Sequence, residues 1–158
     1  MNERINTPIS MAELERRWTA IRAAMKEAKV DVLIAQANND FVGGYVKYLT
    51  DMPATNGYLY TVIFPADGEI SAVAQGPFGQ DQRFDKLEAT PRRGVQRLMG
   101  TPAYSSVHYA STYDAECALK ALEKYQGATI GLLAPGSLSY GFVNHLQKNM
   151  TKATFIDA

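Results

Sequence analysis

Apolar and polar residues alternate along this chain with two different periods, and the period changes where elements should begin and end. Met11, Leu14, Trp18, Ile21, Met25 and Ala28 recur every three or four residues, which places them on one face of a helix. Glu13, Arg16, Arg17, Arg22, Lys26 and Glu27 fill the remaining positions, so the helix should bury one side only. Ser10-Met11-Ala12-Glu13 has the form of a capping box, with Ser10 as N-cap and Glu13 reaching back. The apolar run Val30 to Ala35 is too short for a second helix and fits a central strand covered on both faces.

Asn38-Asn39-Asp40 breaks that strand, and residues 45–57 read as an irregular loop rich in aromatic residues. Tyr58 to Phe64 is dense in β-branched and aromatic residues, hence a strand. Pro65-Ala66-Asp67-Gly68 is a turn, because Pro presets φ and Gly accepts a positive one. Glu69 to Ala74 is the returning strand of the resulting hairpin.

Beyond it, Gln80 to Leu87 suggests a short helix, Val95 to Met99 a turn and Tyr104 to Ala110 a fourth strand. Ser111-Thr112-Tyr113-Asp114 opens a helix burying Ala115, Ala118, Leu119, Leu122 and Tyr125, with Gly127 suited to a left-handed cap. Thr129 to Ala134 is the fifth strand. Pro135-Gly136-Ser137 leads to a helix with Leu138, Phe142, Leu146 and Met150 inward, and Ala153 to Ile156 makes a short sixth strand. The predicted fold class is α/β: a mixed, mostly parallel sheet of about five or six strands with one hairpin, flanked by helices. Residues 1–9, with Pro8 and no periodicity, read as an arm, and 10–158 as one domain.

Composition narrows the function classes. Sixteen basic side chains balance sixteen acidic ones, so no net field favours nucleic acid or an anionic membrane as partner. The one cysteine, Cys117, suits a reducing compartment and a buried structural role. With no signal-peptide pattern at Met1-Asn2-Glu3-Arg4 and no membrane-spanning apolar run, the expected location is cytoplasmic.

Catalytic chemistry is sparse. His108 and His145 are the two histidines, and neither has a metal-ligand partner at helical spacing. Asp114 and Glu116 read as negative charge at a helix N-terminus. Gly43-Gly44 lacks the rest of a phosphate loop. Gly136-Ser137-Leu138-Ser139 reads as a helix cap, not a nucleophile elbow. Arg92, Arg93 and Arg97 could meet an anion, with solvated loop charges the simpler reading.

The order of these pieces resembles the N-terminal domain of the creatinase, prolidase and aminopeptidase P family. The matching stretches are Glu13-Leu14-Glu15-Arg16-Arg17, Asp31-Val32-Leu33-Ile34, Asn39-Asp40-Phe41 through Tyr48, Phe64-Pro65-Ala66-Asp67-Gly68-Glu69, Ile130-Gly131-Leu132 through Tyr140, and Thr154-Phe155-Ile156-Asp157. Phe41-Val42-Gly43-Gly44 stands where family members often carry Tyr-x-Thr/Ser-Gly, and the residues up to Gly57 look inserted.

The resemblance implies a ribonuclease H-like creatinase N-terminal fold without catalytic groups of its own. It further implies a separate C-terminal pita-bread domain whose two divalent metal ions, held by two Asp, one His and two Glu, activate a bridging water. Asp157 falls where the linker to that domain would begin, so the chain is expected to end at a domain boundary. The implied role is dimer contacts (a homodimer) and control of access to the active site of an Xaa-Pro peptidase-like parent. Tyr45, Tyr48, Asn56 and Tyr58 are the candidate residues of that substrate entrance. The alternative is a free-standing α/β module that binds a small ligand or a protein.

Overall fold

The computed structural model describes residues 8–37, 44–52, 57–85, 94–102 and 112–158 of the chain. Helix α1 spans Met11–Ala28. The Ser10 hydroxyl accepts from the Glu13 amide at 3.2 Å, so the N-cap forms as expected. The reciprocal half of the capping box does not. The Glu13 carboxylate is instead taken by Arg16 at 2.7 Å and Arg17 at 2.8 Å, because three charge-assisted bonds from the two guanidinium groups outcompete one backbone amide. Leu14, Trp18 and Met25 are buried and Ile21 is half-buried, whereas Ala28 is exposed. The helix stops at Lys29, which is left-handed at φ 56° while the Val30 amide reaches back to the Met25 carbonyl.

Strand β1 (Val32–Ala37) is buried along its whole length. It lies between antiparallel β2 (Tyr60–Pro65) and parallel β6 (Thr129–Leu132), as its continuous apolar run requires. Strand β2 turns through 66–70 into β3 (Ser71–Gln75), confirming the hairpin, with Gly68 at φ 108°. The Arg22 side chain of α1 donates to the Pro65 and Gly68 carbonyls, and the Tyr125 hydroxyl donates to the Asp67 carbonyl, so both sides of the sheet hold this turn.

The full order is β4-β5-β3-β2-β1-β6-β7, with β4 at Asp81–Arg83, β5 at Arg97–Thr101 and β7 at Thr154–Asp157. Strands β1, β3, β5, β6 and β7 run one way, and β2 and β4 run against them. The mixed, mostly parallel sheet is therefore as predicted, with seven strands.

Helices α1 and α2 (Gly44–Thr50) cover one face, over Leu33, Ala35, Val62, Phe64 and Ala72. Helices α3 (Tyr113–Ala121) and α4 (Tyr140–Asn149) cover the other, over Val32, Ile34, Ile63, Val73 and Ile130. The period of two along β1 sends alternate residues into these two cores.

Four local expectations are corrected. The first part of the loop read over 45–57 is instead helix α2 (Gly44–Thr50), because Val46, Leu49 and Thr50 bury one side and the Trp18 indole donates to the Leu49 carbonyl at 2.8 Å. Within the helix expected over Gln80 to Leu87, Asp81–Arg83 instead form strand β4, an exposed edge held by the Arg97–Asp81 pair. The turn expected at Val95 to Met99 gives way to β5, since Leu98 and Met99 are buried between β3 and β4. Gly127 is not left-handed; α3 runs on through a 3-10 turn, Glu123–Tyr125, and the Ala128 amide closes on the Tyr125 carbonyl. The strand expected at 104–110 lies outside the described residues, as do His108, Arg92 and Arg93.

Candidate functional site

The carboxyl ends of the five codirectional strands share one end of the sheet, the end where α/β folds bind ligands. Chain leaving these ends enters the loop 76–80 after β3, helix α3 after β5, and helix α4 after β6. Three aromatic residues mark the entry points: Phe78, Tyr113 and Tyr140, exposed by 67%, 36% and 84%. The Phe78 and Tyr113 rings meet edge to face at 5.3 Å.

Below this rim lies a polar cluster that sequence reasoning missed. Gln36 is fully buried near the end of β1. Its amide nitrogen donates to the Thr61 hydroxyl at 2.9 Å and to the Asp114 carboxylate at 3.2 Å. Its carbonyl accepts from the Ser139 amide at 3.4 Å. One side chain thus ties β1 to β2, α3 and α4. Burial raises the Asp114 pKa above the ordinary carboxylate value, opposed by the Ala115 amide, by Gln36 and by the charge of His145. The signal was present in the sequence. Gln36 shares the parity of Val32 and Ile34 along β1, a polar residue on a face otherwise given to core.

The entrance candidates separate. Tyr45 and Tyr48, on α2, help to line an apolar groove of about 410 Å³ against α1, with Ile21, Met25, Leu33 and Leu133. The Arg17 guanidinium sits 4.4 Å over the Tyr48 ring, and Arg17 also donates to the Tyr48 carbonyl. Tyr58 is not part of this lining. It precedes β2, whose first residue Tyr60 pairs with Ala37 at the end of β1, so Tyr58 belongs to the strand-end surface. Asn56 lies outside the described residues.

Other charged groups have structural work. Arg97 grips both oxygens of Asp81, at 2.8 and 2.7 Å, and holds the Asp81 pKa below its ordinary value. Burial raises the Cys117 thiol, away from a reactive thiolate. Among the described residues no three His, Cys, Asp or Glu side chains converge as metal ligands. The two-metal set of two Asp, one His and two Glu does not fit the described residues. Among the described residues no helix is long and apolar enough to cross a membrane.

No protein-family model matches the sequence, and no curated protein matches it. Solved structures do share the fold. The aminopeptidase P (Xaa-Pro aminopeptidase) of Streptococcus thermophilus matches with a TM-score of 0.60 at 16% identity, over 92% of this chain and 91% of that one. The creatinase/prolidase N-terminal domain of an X-Pro dipeptidase from Streptococcus pyogenes matches with a TM-score of 0.57 at 14% identity, over 90% and 99%. The prolidase of Thermococcus sibiricus matches with a TM-score of 0.62 at 12% identity, over 94% of this chain but 35% of that one. This chain therefore spans about a third of that prolidase, and its fold is that of creatinase/prolidase N-terminal domains.

Proposed function

We propose that residues 10–158 serve as the non-catalytic N-terminal domain of a metal-dependent hydrolase of the Xaa-Pro peptidase type, with residues 1–9 as an arm. The observation that carries this reading is the shared fold over nine-tenths or more of the chain with aminopeptidase P and prolidase structures. The described residues supply a seven-stranded sheet and an aromatic rim but no converging ligand set. That division of labour suits a domain that positions and screens a site carried elsewhere.

In this reading the domain makes homodimer contacts and borders the approach to the catalytic domain. The strand-end rim of Phe78, Tyr113 and Tyr140 is the surface offered for that approach, joined by Tyr58; Asn56 remains an entrance candidate from the sequence alone. Tyr45 and Tyr48 belong to the groove on the α1 side.

The coding frame beyond the Ala158 codon, together with an alanyl-proline cleavage assay, tests the proposal. A downstream stretch with the two Asp, one His and two Glu, and turnover by the intact protein but not by purified 1–158, is the expected result. Turnover by 1–158 itself would refute it. A stop codon after Ala158 would favour the free-standing binding module.

A further inference from the structure

Four strands carry one row of side chains toward the end of α3. Arg83 of β4 stands opposite Arg97 of β5, Arg97 pairs with Ser71 of β3, and Ser71 pairs with Ile63 of β2. Directly paired residues share a face of the sheet, and Ile63 belongs to the face that α3 covers. The row therefore floors a pocket of about 310 Å³ whose wall carries Lys120, Glu123, Lys124 and Tyr125.

The pocket gathers like charges, which costs stability. Arginines directly opposite one another on adjacent strands repel, and Lys120 and Lys124 add to them from the wall. Asp81 answers Arg97, and Glu69 answers Arg83 at 3.3 Å between exposed side chains. Glu123 also lines the pocket, so four cations meet three carboxylates. Lys120 and Lys124 make no ion pair among the described residues. Arg97 gives Nε and Nη2 to Asp81 and Nη1 to the Lys120 carbonyl, which leaves further N–H groups of the guanidinium open.

Ser71 is the second sign of a ligand. It is only 5% exposed, yet its hydroxyl makes no hydrogen bond among the described residues. A buried hydroxyl without a partner is costly, and this one stands on the pocket floor, paired with Arg97. Ile63, Pro65, Ala121 and the Tyr125 ring give the same pocket an apolar side. Its volume admits an oxyanion together with a ring-sized body, since a cavity of ~150 Å³ holds a benzene-sized group.

We propose that this pocket binds a small organic anion, a phosphate or carboxylate head joined to an apolar body. The ammonium groups of Lys120 and Lys124 and the open N–H groups of Arg83 and Arg97 meet the head. The Ser71 hydroxyl donates to it, and the apolar side holds the body. Tyr113 opens α3 at the strand-end rim, whereas Lys120 and Lys124 lie where α3 ends, so the two surfaces are separate. The site does not depend on the reaction of a parent hydrolase.

Calorimetric titration of the protein with phenyl phosphate, benzoate and benzyl alcohol at low ionic strength tests this. Both anions should bind at one site and the neutral alcohol should not; whichever anion binds tighter names the head group. Lys120→Met and Lys124→Met should each weaken phenyl phosphate about fivefold, through loss of a charge-assisted bond. Ser71→Ala should weaken it about threefold, the share of one hydroxyl. Lys148→Met, outside the pocket, should leave it unchanged. Both pocket lysine variants should melt no lower than wild type, because each relieves crowding of like charge. Unchanged affinity in Ser71→Ala and the two pocket lysine variants would overturn the inference. So would an equal loss in Lys148→Met, which would mean diffuse surface charge. Alcohol binding as tight as phenyl phosphate, or no saturable binding of either anion, would overturn it too.

Discussion

Gln36 and Asp114 stand 78 positions apart in the sequence, yet the Gln36 amide donates to the Asp114 carboxylate at 3.2 Å across the junction of β1 and α3. The bond joins the central strand to the helix at the strand-end surface. It places a titratable group where water is scarce.

Because burial raises the Asp114 pKa, the folded state holds its proton to higher pH than the unfolded chain does. Its contribution to stability is therefore fully present below the ordinary value of 3.8 and is lost as pH rises through the folded pKa. Asp81 has the opposite sign: lowered by Arg97, it stabilises above its ordinary value and the benefit fades as pH falls. The difference in urea midpoint between wild type and Asp114→Asn should shift in favour of the variant between pH 4 and 7. A difference that stays flat over that range would contradict the burial of Asp114.

Gln36→Leu keeps the volume but leaves Thr61, Asp114 and the Ser139 amide without their shared partner. The expected loss is about 1–3 kcal/mol, with the melting temperature falling by roughly 2–4 °C for each kcal/mol. Calorimetry measures it directly. An unchanged melting temperature would mean that the network adds nothing to the fold.

Lys29 adopts φ 56° at the end of α1, a conformation that costs an L-residue roughly 1–2 kcal/mol. Lys29→Gly should recover about 1 kcal/mol of it, part being returned as unfolded-chain entropy. Its side chain makes no ion pair among the described residues, so a denaturation curve reports the backbone effect cleanly. Loss of stability would show that the side chain matters more than the conformation.

A Cβ at Gly100 of β5 would collide with the Pro77 carbonyl, and one at Gly94 would fall 2.6 Å from the Thr50 Cα. Gly100→Ala and Gly94→Ala should each cost about 1–3 kcal/mol, because backbone cannot yield as a side chain does. Gly57→Ala has open space around it and tests only the positive φ, so it should cost less than either. Losses at Gly94 and Gly100 no larger than at Gly57 would mean that the neighbouring backbone yields to the added methyl group.

These glycines also show why part of the fold was hidden in the sequence. The α1 stripe, the β1 run and the Pro65–Gly68 turn each carry a local signal that periodicity or turn chemistry reads directly. Strand β5 carries none: Gly94 and Gly100 mimic turn residues, and their reason is close backbone contact with Thr50 and Pro77. Helix α2 was obscured by the Gly43-Gly44 pair, whose second member opens it, and by tyrosines that suit loops as well as helices. The strand-end cluster was half legible. Gln36 breaks an apolar parity, but that its partners are Asp114 and Ser139 follows only from α3 and α4 lying on the same face.

The Pro65–Gly68 turn is gripped by Arg22 from one helical layer and by Tyr125 from the other. The two layers are kept apart by the sheet, so this short loop is a shared rivet between them. A force that tilts α1 pulls on the Pro65 and Gly68 carbonyls, in the same short turn as the Asp67 carbonyl that holds Tyr125. Strain entering the domain on one side can therefore reach the far side without disturbing either core.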